Sequence, residues 1–166
     1  MTNEDSKQNP AWIEEIDLGA FKKKEDHGEA LRKIAYIVQD VIYERRTDQV
    51  ADLILSNIAK QGIPDPCDDC IIQNLNMLSK FSERSSVLVA GKMEEIMVSL
   101  EKVFAKNLKT MLKADRAERI INASLRALHS MVHSSELKVN KSQTLDSFIA
   151  TKVKSNKDLE KLWAKL

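Results

Sequence analysis

The chain has 166 residues, of which 43% are hydrophobic, 31% charged and 5% aromatic, enough to bury roughly 70% of its unfolded surface in one packed unit. Only four glycines and three prolines occur, against a typical combined share of about 12%, which favours long helices and excludes a glycine-rich phosphate loop, a β-sandwich or a disordered linker. The net charge of +1 removes the general electrostatic case for a nucleic-acid partner. It conceals an asymmetry: residues 1–100 carry 12 basic and 18 acidic side chains, net −6, and residues 101–166 carry 14 and 7, net +7. Oppositely charged ends suit docking against another protein.

Residues 1–11 are polar around Pro10 and read as a flexible tail. No apolar leader opens the chain, and apolar runs reach only four or five residues, far short of a membrane span. Two cysteines are too few for a disulfide framework. An intracellular, membrane-free protein is expected.

Over residues 12–28, Trp12, Glu14, Ile16 and Leu18 alternate with Ile13, Glu15 and Asp17. Gly19 interrupts, and Phe21 with Lys22, Lys23 and Lys24 precedes Asp26, His27 and Gly28. This pattern predicts a β-hairpin. A lone two-stranded ribbon is marginal in water, so it must lean on helices or on a partner.

From Glu29 the period is helical, with Leu31, Ile34, Ala35, Val38, Val41 and Ile42 on one face of a helix running to about residue 44. Thr47 and Asp48 predict the cap of a second helix, facing inward through Val50, Leu53, Ile54 and Ile58 and ended by Gly62 as a left-handed terminator. Pro64 and Pro66 forbid continuation. A second pair is predicted over 67–81, with Cys70, Ile71, Leu75 and Leu78 inward, and from Ser85 or Ser86 to residue 106, with Leu88, Met93, Ile96, Met97, Leu100 and Phe104 inward. A third starts at Asp115 with Ile120, Ile121, Leu125, Leu128 and Val132, then returns through residues 144–152. Ser155 is the expected cap of a last short helix carrying Leu159, Leu162 and Trp163 on one side.

Pairs spaced by roughly 35 to 50 residues predict an all-α, HEAT-like α-solenoid of about three helix pairs over 29–166, with an N-terminal β-hairpin. A plain helical bundle would show similar stripes. In a solenoid, a terminal face without its neighbour is expected to be apolar or covered by the hairpin, with self-association as one consequence.

The chemistry-bearing residues are few. Cys67-Asp68-Asp69-Cys70 has CxxC spacing, but a structural zinc needs two more ordered ligands and a thioredoxin-like site needs a preceding strand. Two cysteines in a helical first turn, one facing the core, with the aspartates favoured by the helix dipole, is the plainer reading. His129 and His133 have the i, i+4 spacing of zinc-binding helices, yet Ser130 occupies the place of the catalytic Glu. The lysines at 22–24 and at 106, 109 and 113 lack interleaved aromatics and suit a solvated face or an acidic protein partner. Trp12 and Phe21 either pack on the first helix or present an anchor to a partner. No nucleophile elbow, phosphate loop or carboxylate pair is present in the sequence, so a non-enzymatic binding module without cofactor or metal is expected.

The stretch Ile16-Asp17-Leu18-Gly19-Ala20-Phe21-Lys22, followed by Asp26, Gly28, Leu31-Arg32-Lys33 and Ala35, resembles the "LGPFKHTVDDGL…RKAAFE" segment near the C-terminus of the cullin-associated and neddylation-dissociated proteins. Gly62 and Asp65 fall where that family has "GLxDHYD", Ser124 to Leu128 resembles its "SAMRAV" helix, and residues 154–159 are similar to its final "SNPEL". Ala20 replaces the family proline, Lys23-Lys24-Glu25 its "HTV" and Cys67 its tyrosine.

The resemblance implies a HEAT-repeat regulator of ubiquitin ligases, in cytoplasm and nucleus, whose C-terminal part docks on the N-terminal domain of an unneddylated cullin. There its hairpin competes with the substrate-adaptor subunit, through Asp17, Leu18, Gly19, Ala20, Phe21, Lys22 and Lys23. It further implies that the chain is about three repeats of a longer solenoid, whose remaining N-terminal part is a second partner. Two competing expectations are a generic helical scaffold of another complex and a small metal or redox module built on Cys67, Cys70, His129 and His133.

Overall fold

The computed structural model describes residues 4–45, 47–111, 114–134 and 143–166, without the side chains of Thr47 and Asp48. The expected capping by Thr47 and Asp48, and Lys113 of the basic run, therefore lie outside the described residues. A short 3-10 turn, Pro10–Trp12, leads into strands β1 (Ile13–Asp17) and β2 (Lys22–Asp26). They pair antiparallel, with Ile13 opposite Asp26 and Asp17 opposite Lys22. Helices follow as α1 (Glu29–Arg45), α2 (Thr47–Asn57), α3 (Asp68–Arg84), α4 (Ser86–Gly91), α5 (Met93–Leu108), α6 (Asp115–His133), α7 (Gln143–Phe148) and α8 (Lys157–Trp163). No helix among the described residues is long and apolar enough to cross a membrane.

The fold is the expected all-α solenoid with an N-terminal hairpin. Helix α3 packs between α1 and α6, while α5 packs on α6 and beside residues 58–62 and α7, giving two layers in which each pair hides its apolar face against the next. Arg116 and Arg119 of α6 reach Asp68 and Asp69 of α3 at 3.3 and 3.4 Å, so these two helices start at the same end. One continuous core runs through the stack. Within it Tyr43 and Phe81 stack at 3.8 Å between ring centroids, and Phe104 meets Phe148 edge to face at 5.3 Å.

Several local expectations are corrected. Residues 4–11, expected as flexible tail, are pinned: Ser6 is fully buried, its Oγ donates to Asn57 Oδ1, and Tyr36 donates its hydroxyl to the Ser6 carbonyl. The second helix does not end in a left-handed glycine, because Gly62 has no positive φ; the chain passes instead through a π turn, Ile58–Gly62. Glycine is needed there because any Cβ would collide with the Asn74 side chain of α3. The helix expected over 85–106 is broken at Lys92, whose φ of −113° and ψ of 14° leave the helical well. The last helix is capped by Asn156, which accepts from the amides of Asp158 and Leu159, while Ser155 bonds back to the Thr151 carbonyl.

The largest correction concerns α1. Its buried residues are Arg32, Ala35, Tyr36, Gln39 and Tyr43, whereas Ile34 and Val41, expected inward, are exposed together with Ile37. Leu53 of α2 also points outward. Helix α1 has apolar residues on two sides, and its inner side is the more polar one.

Candidate functional site

The seven hairpin residues singled out in the sequence lie together and are all exposed. Asp17 closes the turn by accepting the Gly19 amide at 2.8 Å, and Gly19 takes φ +78°, a region open to glycine at little cost. The Leu18 amide donates to the Phe21 carbonyl at 3.0 Å. This closure projects Leu18, 50% exposed, and Phe21, 63% exposed, away from the protein. Ala20 sits in the turn with its amide bonded to the Leu18 carbonyl. Lys22 bridges across the strands to Glu15 at 2.7 Å, and Lys23 stands 4.0 Å from Glu25. Neither aromatic packs as a core residue: Trp12 rests against Gly28 at the entry to α1 but stays 44% exposed.

The base of the hairpin is fixed differently. Asp26, the last residue of β2, accepts the Gly28 amide at 2.9 Å on Oδ1, and Gln8 Nε2 and Arg32 Nη1 at 2.8 and 2.9 Å on Oδ2. Arg32 turns the rest of its fork to Asp65, with Nε 3.0 Å from Oδ2 and Nη2 3.3 Å from Oδ1. Asp65 Oδ1 also accepts the Cys67 amide. Tyr36, Ser6, Asn57 and Gln39 extend the network by side-chain and backbone hydrogen bonds. One guanidinium thus joins the hairpin, α1 and the loop before α3.

Both charges fit this arrangement. Burial alone would weaken the Arg32 proton, but Asp65 and Asp26 hold the guanidinium's pKa above its ordinary value. Burial pushes the Asp26 carboxyl up, and hydrogen bonds from Gln8, Gly28 and Arg32 outweigh it, leaving it below the usual range. Burial, reinforced by the Asp65 charge, raises the Tyr36 phenol. A bidentate pair with its remaining lone pairs filled is the geometry in which a buried ion pair is tolerated.

This clasp was not read from the sequence as a site. In the sequence Arg32, Asp65 and Asp26 stand out only as positions matched in the resemblance, and Asp26 also as the end of the hairpin pattern. The available signal was Arg32 on the same helical face as Ala35, Tyr36 and Tyr43, in the first turn of the helix that follows a hairpin ending in an acid.

The cysteine and histidine pairs are not brought together. Cys67, Cys70 and Asp65 converge, with ligand atoms within 4.8 Å of one another. Both Asp65 oxygens are, however, engaged by Arg32, and a guanidinium in contact opposes a cation there. Cys70 is fully buried beside Tyr36, and burial, with the Asp65 charge, pushes its thiol up. His129 and His133 stack at 4.0 Å at the far end of α6. Because α3 and α6 start at the same end, roughly 20 Å of helix separates them from the cysteines. Asp68 and Asp69 face Arg116 and Arg119, as first-turn acids meeting a neighbouring helix.

A search of curated proteins finds no match. A family model described as TIP120, TATA-binding protein interacting (TIP20), matches residues 2–163, a span that takes in the hairpin, the clasp and every helix. The chain therefore belongs to the TIP120 family, the family of the cullin-associated and neddylation-dissociated proteins.

Proposed function

We propose that this chain is a non-enzymatic, protein-binding segment of a cullin-binding exchange factor, docking on the N-terminal domain of an unneddylated cullin and competing with the substrate adaptor through its hairpin. The observation that carries the reading is an exposed apolar tip on a locked base. Leu18 and Phe21 stand in solvent, and the strands behind them are tied to α1 by the buried Arg32–Asp26 pair. A loop ordered before binding loses less conformational freedom on association, and aromatic side chains, Phe among them, are enriched at interfaces over the rest of the surface.

A second surface fits the other expected partner, further helix pairs of the same solenoid. Ile34 and Ile37, each 51% exposed, and Val41 lie on the side of α1 opposite Arg32, Ala35, Tyr36 and Tyr43. A helix apolar on both sides is suited to stacking between two neighbours.

The test is capture of purified chain on an immobilised cullin N-terminal domain, with and without excess adaptor, with the TATA-binding protein as a second bait. Capture that adaptor displaces supports the reading. Capture indifferent to adaptor removes the competition mechanism, and no capture by cullin removes the cullin assignment in favour of a helical scaffold of another complex.

A further inference from the structure

A groove of about 520 Å³, lined by none of the hairpin residues, runs between α5 and α7. Its floor is Phe104 against Phe148, and its α5 wall is Ala105 and Leu108. Lys102 and Lys109 stand along the α5 rim and Lys152 on the facing rim. None of these three lysines makes an ion pair among the described residues, in contrast to Lys22, Lys33, Lys60, Lys80 and Lys92 of the N-terminal part. Among the described residues Glu101 is the one acid lining the groove. The surrounding segment 101–166 carries a net charge of +7.

From this we propose that the groove is a docking site for an acidic amphipathic helix, distinct from the hairpin surface and independent of the function assigned to it. The volume falls in the range of specific ligand sites, roughly 300–1,000 Å³, but Lys102, Ala105, Lys109 and Lys152 are all exposed, so the groove lies open along its length, as a helix-binding groove does. Lys102 of α5 and Lys109, the residue that caps its C-terminus with helical φ and ψ, are seven residues apart, about 10 Å along the axis. Acids two turns apart on a docked helix match that spacing, while its apolar anchors meet Ala105 and Leu108. Nucleic acid fits less well. Phe104 and Phe148 are 1% and 4% exposed and offer no free ring face on which a base could stack.

The experiment selects against the intact protein from a displayed library of amphipathic helices about four turns long. Leucines are fixed on one face, and the flanking positions are randomised among Glu, Lys and Ala. The expected winners are Glu-rich on both flanks. Their affinity should fall on the order of tenfold with Ala105→Glu, which places a bulky charge in the exposed groove wall, and roughly threefold with Lys109→Glu, with a shallower salt dependence. Phe21→Ala should leave their affinity unchanged, which keeps this result separate from the cullin experiment. Winners without acidic enrichment, binding indifferent to Ala105→Glu, or a single-stranded oligonucleotide that competes them off would overturn the proposal. Self-association of the purified protein that Ala105→Glu abolishes would identify a second copy as the occupant and overturn a separate partner.

Discussion

Arg32 Nη1 lies 2.9 Å from Asp26 Oδ2, so the last residue of the hairpin is held by the first full turn of α1 through a nearly inaccessible guanidinium. The same side chain contacts Asp65, and removing it leaves two carboxylates without their cation. Arg32→Ala should therefore destabilise the protein by about 3–5 kcal/mol, the usual cost of breaking a buried pair from one side. Asp26→Asn should cost less, about 1–3 kcal/mol, and act mainly on the hairpin. Urea unfolding of both variants, with amide exchange read over residues 13–26, checks this. Equal protection of the hairpin in Asp26→Asn and the parent would show that the clasp does not hold it.

The same pair sets a pH dependence. Asp26 is held below the usual carboxylate range, because bonds from Gln8, Gly28 and Arg32 outweigh the burial that would raise it. A depressed carboxyl contributes stability above its unfolded value, near 4, and loses it as pH falls through the folded value. Acid should therefore loosen the hairpin below about pH 4 while the core around Tyr43 and Phe81 still holds. Tyr36 behaves in the opposite sense. Burial and the Asp65 charge raise its phenol, so its contribution is complete below about pH 10 and is lost as pH rises through the folded value. Amide exchange against pH follows the first limb, and tyrosinate absorbance the second.

The helical stack was legible because amphipathic stripes repeat, and the α3 and α6 stripes are inward as expected, from Cys70 to Leu78 and from Ile120 to Leu128. Helix α1 was not legible in the same way, because it carries apolar residues on two sides and the period alone cannot say which side faces the core. The polar inner side is decided by Asp65, which lies more than thirty residues away in sequence and is placed by the π turn and Gly62. The hairpin was visible as alternation around Gly19, but its anchoring depends on Arg32 reaching both carboxylates, a tertiary fact that no local pattern carries.

Two substitutions separate the sides of the stack. Phe81 is buried against Tyr43, and Phe81→Ala should cost about 3–5 kcal/mol through lost contact and a residual cavity. Ile37 is half exposed on the outer side of α1, and Ile37→Glu should change stability by no more than about 0.5 kcal/mol. If that face takes a further helix pair or a second copy, Ile37→Glu should also reduce self-association in sedimentation at high protein concentration. A large loss of stability from Ile37→Glu would place that face inside the core.

Phe21 supplies the most direct test of the hairpin as a contact surface. It stands 63% exposed at the end of a turn closed by Asp17 and Gly19, touching no core cluster. Phe21→Ala should therefore leave helix content and melting temperature within the range of ordinary surface changes, about 0.5 kcal/mol. An anchor residue lost from an interface centre costs about 1–3 kcal/mol, so competition with the adaptor for the cullin domain should weaken by the corresponding factor of about 5 to 150. Lys22→Glu and Lys23→Glu should instead slow association and flatten its salt dependence, as rim charges do, with little effect on dissociation. Stability and competition must be measured on the same Phe21→Ala preparation. Undiminished competition by a folded variant removes the hairpin tip from the mechanism, and a parallel fall in both stability and competition assigns Phe21 to packing.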